Sequence, residues 1–177
     1  MRDAERLVEL DGKLSVIRRG AAKPADAAER IELASLCLIK KLPWTGARFF
    51  DEAFAAQPAL AENVKTGHRY NAARMAALAG CGQSHDDAPL DDPARARWRQ
   101  QALDWLQADL ALWTKLGESG KPEVRAAVRR TLAHWQRDPD LAGLREEAAL
   151  AKLPEAERTA CRQLWAAVQQ AAGAGTR

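Results

Sequence analysis

Asp109, Arg130 and His134 are the residues whose types could do acid–base or ion-pair chemistry. Asp109 falls between Trp105 and Trp113 on the apolar side of a helical pattern. A carboxylate there needs a partner, because an unpaired charge removed from water is costly. Arg130 or His134, from the following helix, could supply it as a structural ion pair, and Asp109→Ala is then expected to lower the melting temperature. Acid–base catalysis needs a second activated group in reach. None is spaced near Asp109, so no catalytic residue is assigned and the chain is not expected to be an enzyme.

Metal chemistry has a thin basis. Cys81-x3-His85-Asp86-Asp87 could be drawn as half a zinc site, but a structural zinc normally takes four ligands, and His68 and His134 stand at unsupportive spacings. The aspartates of residues 86–92 lack the central glycine and closing glutamate of a calcium loop. No metal and no other cofactor is expected. Arg95, Arg97 and Arg99, with Arg125, Arg129 and Arg130, form the best surface for nucleic acid. No aromatic is clearly displayed beside them for base stacking, and the net charge is only +3. Nucleic acid is therefore the weaker alternative partner.

The elements that position these residues follow from composition. The 177 residues include 38 Ala against 6 Val, 3 Ile and 6 Thr. A chain so rich in the best helix former and so poor in β-branched residues should be all-α. Leu7, Leu10, Leu14 and Ile17 mark one face of a first helix over 2–19, and Gly20 ends it. Pro24 opens a second, which closes at Lys40 and Lys41. A third runs from Pro43 to Gln57, with Gly46, Phe49, Phe50, Ala53 and Phe54 inward. Over 59–79 the helical pattern is interrupted at Gly67, which marks a break or kink. Residues 83–92 read as an exposed acidic loop. The longest helix runs from Pro93 to about Leu116, broad enough in its apolar surface to meet neighbours on two sides. Another starts at Pro122; residues 141–152 stay ambiguous, and the last begins near Pro154. The six tryptophans, at helical spacings, are expected to pack in the core beside small alanines. Three cysteines without paired spacing, no apolar leader in residues 1–9 and no long apolar window suggest a reduced, cytoplasmic chain without a membrane span.

Internal periodicity adds a family likeness. Leu33-Ala34-x2-Cys37 followed by Gly46-x3-Phe50-x2-Ala53-x4-Pro58 reproduces the grammar of a tetratricopeptide repeat: small residues where helices cross, a bulky one to fill the gap, a proline to turn. A looser copy runs Ala72-Ala73-x2-Ala76-x2-Ala79-Gly80 and resumes at Ala102-x3-Leu106-x2-Asp109. Its register slips to 39 residues from the usual 34 or so. The run from Gly67 to Gly82, with Arg99-Gln-Gln-Ala-Leu-Asp-Trp-Leu-Gln-Ala-Asp-Leu, His134-Trp-Gln-Arg-Asp-Pro-Asp-Leu-Ala-Gly and Leu153-Pro-Glu-Ala-Glu-Arg, resembles the tetratricopeptide-containing C-terminal region of planctomycete eukaryotic-like serine/threonine protein kinases and related multidomain proteins. The chain carries no glycine-rich loop with its strand lysine, no His-Arg-Asp and no Asp-Phe-Gly, so phosphoryl transfer is not assigned to it.

The resemblance implies an antiparallel helix-pair array, an α-solenoid with helical caps, appended to a signalling domain. It would be one domain over 1–177: a repeat at 24–58, a degenerate repeat at 59–117 with its loop at 83–92, and a C-terminal cap at 121–172. It also implies a protein or peptide partner, or the neighbouring domain of the parent chain, held on the concave face where Asn and basic side chains clamp a carboxylate. Arg69, Tyr70, Asn71 and Arg74 are the residues in that position. A helical spacer or cap without ligand is the other reading, and a groove filled by the chain's own side chains would point to it.

Overall fold

The computed structural model describes residues 2–84, 86, 89–118 and 120–173, with side chains from residue 5 onward. Helix α1 spans Arg2–Arg18, α2 Ala27–Lys40, α3 Pro43–Ala56, α4 Ala59–Glu62 and α5 His68–Gly80. Then come α6 Asp92–Gly117, α7 Pro122–Trp135, a 3-10 turn Pro139–Leu144, α8 Glu147–Leu150 and α9 Glu155–Gly173. All regular structure among the described residues is helical, as the alanine content requires. None of these helices is long and apolar enough to cross a membrane.

Sequence neighbours pack on one another. Helix α2 lies on α3, α3 on α5 and α5 on α6, while α6 meets both α7 and α9. The broad apolar surface expected of α6 thus does serve several neighbours. Two glycines set how closely the helices approach. A Cβ on Gly46 would sit 2.9 Å from Cys37 Cβ and run into the Met75 side chain, and one on Gly80 would sit 2.7 Å from the Arg99 backbone nitrogen. Only a residue without a side chain lets α3 nestle between α2 and α5, and α5 against α6. Ala72, Ala73, Ala76 and Ala79 are buried along α5, opposite Phe49, Phe50, Leu103 and Leu106 in one continuous core. Trp98, Trp105 and Trp135 join it, whereas Trp44, Trp113 and Trp165 keep one edge exposed.

Local chemistry explains the boundaries. Gly67 adopts a left-handed φ of 66°, so the expected break falls there and separates α4 from α5. Pro24 lies ahead of α2 instead of opening it. Asp26 is the N-cap, accepting from the Glu29 amide at 2.8 Å, while Glu29 reaches back to the Ala25 amide at 2.6 Å. Helix α6 begins one residue before Pro93, capped by Asp91. The ambiguous stretch resolves into the 3-10 turn and α8.

In the loop at 83–92, Gln83, Pro89, Asp91 and Asp92 are exposed as expected, and Asp86 departs from that solvated reading. Residues 85, 87 and 88 of the loop lie outside the described residues. Asp86 is half-buried and caps α3, whose own N-cap position, Leu42, offers no side-chain acceptor. Its carboxylate accepts from the Trp44 amide at 2.9 Å and the Thr45 amide at 3.2 Å, and from the Thr45 and Ser84 hydroxyls. An anion at a helix N-terminus satisfies free amides and meets the positive end of the helix dipole. The loop therefore ties the end of the α5 segment back to α3.

Candidate functional site

Tyr70, Asn71 and Arg74 stand on one face of α5, since residues three and four apart share a face. That face looks onto the turn after α7. The Tyr70 hydroxyl donates to Asp138 Oδ2 at 2.6 Å, and its ring stacks on Trp135 at 5.2 Å between centroids and 9° between planes. Burial first, then the Asp138 carboxylate, pushes the Tyr70 hydroxyl above its ordinary range. Arg74 lies 3.1 Å from Asp138 Oδ2 through Nε, donates to Asp140 Oδ2 and gives Nη1 to Asn71 Oδ1 at 3.2 Å. Asp138 is buried and also caps the 3-10 turn by accepting from the Asp140 amide at 2.9 Å. Two of the four residues placed in a partner clamp, Tyr70 and Arg74, therefore latch the 138–144 turn to α5, and Asn71 braces Arg74 within α5.

The partner of Asp109 differs from both expected ones. Arg69 Nη1 approaches Asp109 Oδ1 at 3.7 Å, and no ion pair joins Asp109 to Arg130 or His134 among the described residues. Helix α7 carries Arg130 on its exposed side, and His134 Nε2 turns to Asp138 at 3.6 Å, one helical turn along its own chain. Burial pushes the Asp109 carboxyl up to about 6, with Arg69 opposing. Tyr70, Asp109, Arg130 and His134 nonetheless meet around one pocket of about 430 Å³, walled also by Trp113 and Trp135. Arg69 and Tyr70 of the one set thus meet Asp109, Arg130 and His134 of the other at the seam between α5, α6 and α7, whereas Arg74 turns to Asp138 and Asp140 and Asn71 to Arg74.

A second concavity lies between α2 and α5, with a volume of about 570 Å³. Leu38, Met75 and Leu78 line it, with Lys41 and Gln83 supplying polar groups and the paired Arg74 and Asp140 forming part of the wall. Lys41 ends α2 in the left-handed conformation, φ 55°, and its amide bonds the Cys37 and Leu38 carbonyls. Sequence reasoning missed this groove because its polar members come from a helix cap, a loop and α5. The Asp138-Pro139-Asp140 run could have signalled the latch, since Asp before Pro is a capping pattern.

The remaining polar residues are mostly engaged. Arg99 donates to Glu157 at 2.6 Å and to the Gly80 carbonyl at 2.8 Å, fastening α6 to α9 and to the end of α5, so it does not belong to a free basic strip. Arg97 lies 5.5 Å from the Trp98 ring centroid. Cys37, Cys81 and Cys161 are free thiols, and burial raises them to about 12, 11 and 11, which keeps them protonated near neutral pH. Among the described residues no group of three or more His, Cys, Asp or Glu could hold a metal ion; His85 and Asp87 of the half-site lie outside those residues. No family model, no curated protein and no solved structure matches this chain.

Proposed function

We propose that this chain is a non-catalytic interaction module in which α2/α3 and α5/α6 act as tetratricopeptide-like pairs. It takes an extended segment of a protein partner, or of a neighbouring signalling domain in its parent chain, into the groove between α2 and α5. The observation that carries this reading is the groove itself: about 570 Å³, an apolar floor of Leu38, Met75 and Leu78, and convergent polar groups from Lys41 and Gln83 beside the paired Arg74 and Asp140. Such a lining suits alternate side chains of an extended peptide with hydrogen bonds at its edge. The likeness to the helical region of eukaryotic-like kinases supports a signalling setting, and three free thiols support a reducing, cytoplasmic one. The absence of catalysis is part of the proposal, because Tyr70, Arg74, Asp138 and Asp140 saturate one another.

The test is selection of peptides from a displayed random library, followed by fluorescence anisotropy on the wild type and on Leu38→Glu/Leu78→Glu. Peptides that bind the wild type and lose at least tenfold in affinity on a folded double variant support the groove. Peptides that bind both alike would remove it. One observation favours the ligand-free spacer as a second reading: Tyr70, Asn71 and Arg74 are already taken up by the chain. A library that yields no binder at all would select that reading.

A further inference from the structure

The seam pocket contains a carboxylate that its surroundings leave unfinished. The Asp109 side chain is only 3% exposed and reaches the pocket wall. It accepts no hydrogen bond from any described residue, and its one ion pair, to Arg69, spans 3.7 Å, beyond hydrogen-bond length. Burying such a group without donors is costly, so a ligand that brings donors recovers much of that penalty. Arg130 and Lys65, exposed residues of the same lining, have no anionic partner among the described residues. The same lining holds Trp113, half-buried, and the Tyr70 and Trp135 side chains.

We propose that this pocket binds a small aromatic zwitterion of the amino-acid type, with its ammonium on Asp109, its carboxylate toward Arg130 and Lys65, and its ring against Trp113. The volume, about 430 Å³, falls within the range usual for small-molecule sites, about 300–1,000 Å³. An ammonium supplies three donors to the orphan carboxylate and is attracted to aromatic faces. A plain anion meets Asp109 as a like charge, and a plain amine leaves Arg130 and Lys65 unsatisfied. The site is separate from the α2/α5 groove and does not depend on it.

The test uses the full chain with three probes: L-phenylalanine, phenethylamine and 3-phenylpropionate. Binding is read by calorimetry and by tryptophan fluorescence excited where the probes do not absorb. L-Phenylalanine should bind most tightly, and 3-phenylpropionate at least tenfold more weakly. Asp109→Asn should weaken the two amines at least tenfold, whereas Arg130→Gln should weaken L-phenylalanine and leave phenethylamine unchanged. Should Asp109→Asn fail to fold, the pH arm decides on the wild type. The groups facing Asp109 are Arg69 and Tyr70 from α5, Arg130 and His134 from α7, and Lys65 from the segment before α5. Phenethylamine affinity should rise about tenfold from pH 5 to pH 7 as Asp109 ionises around pH 6, and should do so equally in His134→Gln, which removes the imidazole that lines the pocket. Equal affinity for 3-phenylpropionate and L-phenylalanine, undiminished binding by a folded Asp109→Asn, a flat pH profile, or no saturable binding below about 10 mM would each overturn the proposal.

Discussion

Replacing Asp109 by Asn should flatten the acid limb of the stability curve. In the folded chain the Asp109 carboxyl ionises near 6 against an ordinary 3.8, because burial disfavours the charge more than Arg69 favours it. Between those two values the folded state holds more of the proton than the unfolded state does. Linkage then makes the stability contributed by this residue greatest below pH 4, falling as pH rises to about 6 and level above it. A gap of about two pH units at about 1.4 kcal/mol each gives about 3 kcal/mol. Asn mimics the protonated acid and does not titrate. The variant should therefore gain on the wild type between pH 4 and pH 7 by about 3 kcal/mol, or about 6–12 °C in melting temperature for a domain of this size. The sequence alone led to the opposite expectation, that this residue's pairing adds stability. Thermal melts followed by circular dichroism at pH 4, 5, 6, 7 and 8 would read the difference. Parallel curves for the two proteins would refute the reasoning, as would a wild type that loses stability toward pH 4 while the variant does not.

Three further perturbations read the packing and the latch. Gly80→Ala drives a methyl into the Arg99 backbone, 2.7 Å away, and should cost about 1–3 kcal/mol in chemical denaturation; a neutral result would mean α5 and α6 are further apart than described. Asp86→Ala removes the cap from α3 and should cost about 1 kcal/mol, with faster amide exchange at Trp44 and Thr45; unchanged exchange there would contradict the capping role. Tyr70→Phe leaves Asp138 short of a donor and should cost about 1–3 kcal/mol, with faster exchange over 138–144. Unaltered protection of that turn would show that the latch does not hold it.

Features set by neighbours along the chain were legible in the sequence. Gly67 breaks the 59–80 segment because a left-handed residue cannot continue a helix, and the alanines of 72–79 lie inward because they repeat on one helical face. What depends on the rotation of one helix against another was not. The pattern put Asp109 on an apolar face but said nothing of which residue of α5 or α7 would face it. Arg69 therefore took the place expected for Arg130 or His134. Likewise Asp86 meets Thr45 and Arg74 meets Asp138 across long stretches of chain, contacts that no local period encodes. The candidate basic surface of Arg95, Arg97 and Arg99 loses a member for the same reason, since Arg99 turns to Glu157.

The central claim is that the groove between α2 and α5, which shares the Arg74–Asp140 pair with the latch, and not the Tyr70–Asp138 side of that latch, receives the partner segment. Titrating a library-selected peptide into the isotopically labelled chain and following backbone amide shifts by NMR tests it most directly. The account predicts shifts concentrated at Leu38, Lys41, Leu78 and Gln83, with Asp138 and Leu141 nearly still. Shifts centred on Asp138 and Leu141, or spread over α7 and α9 with the groove silent, would contradict it.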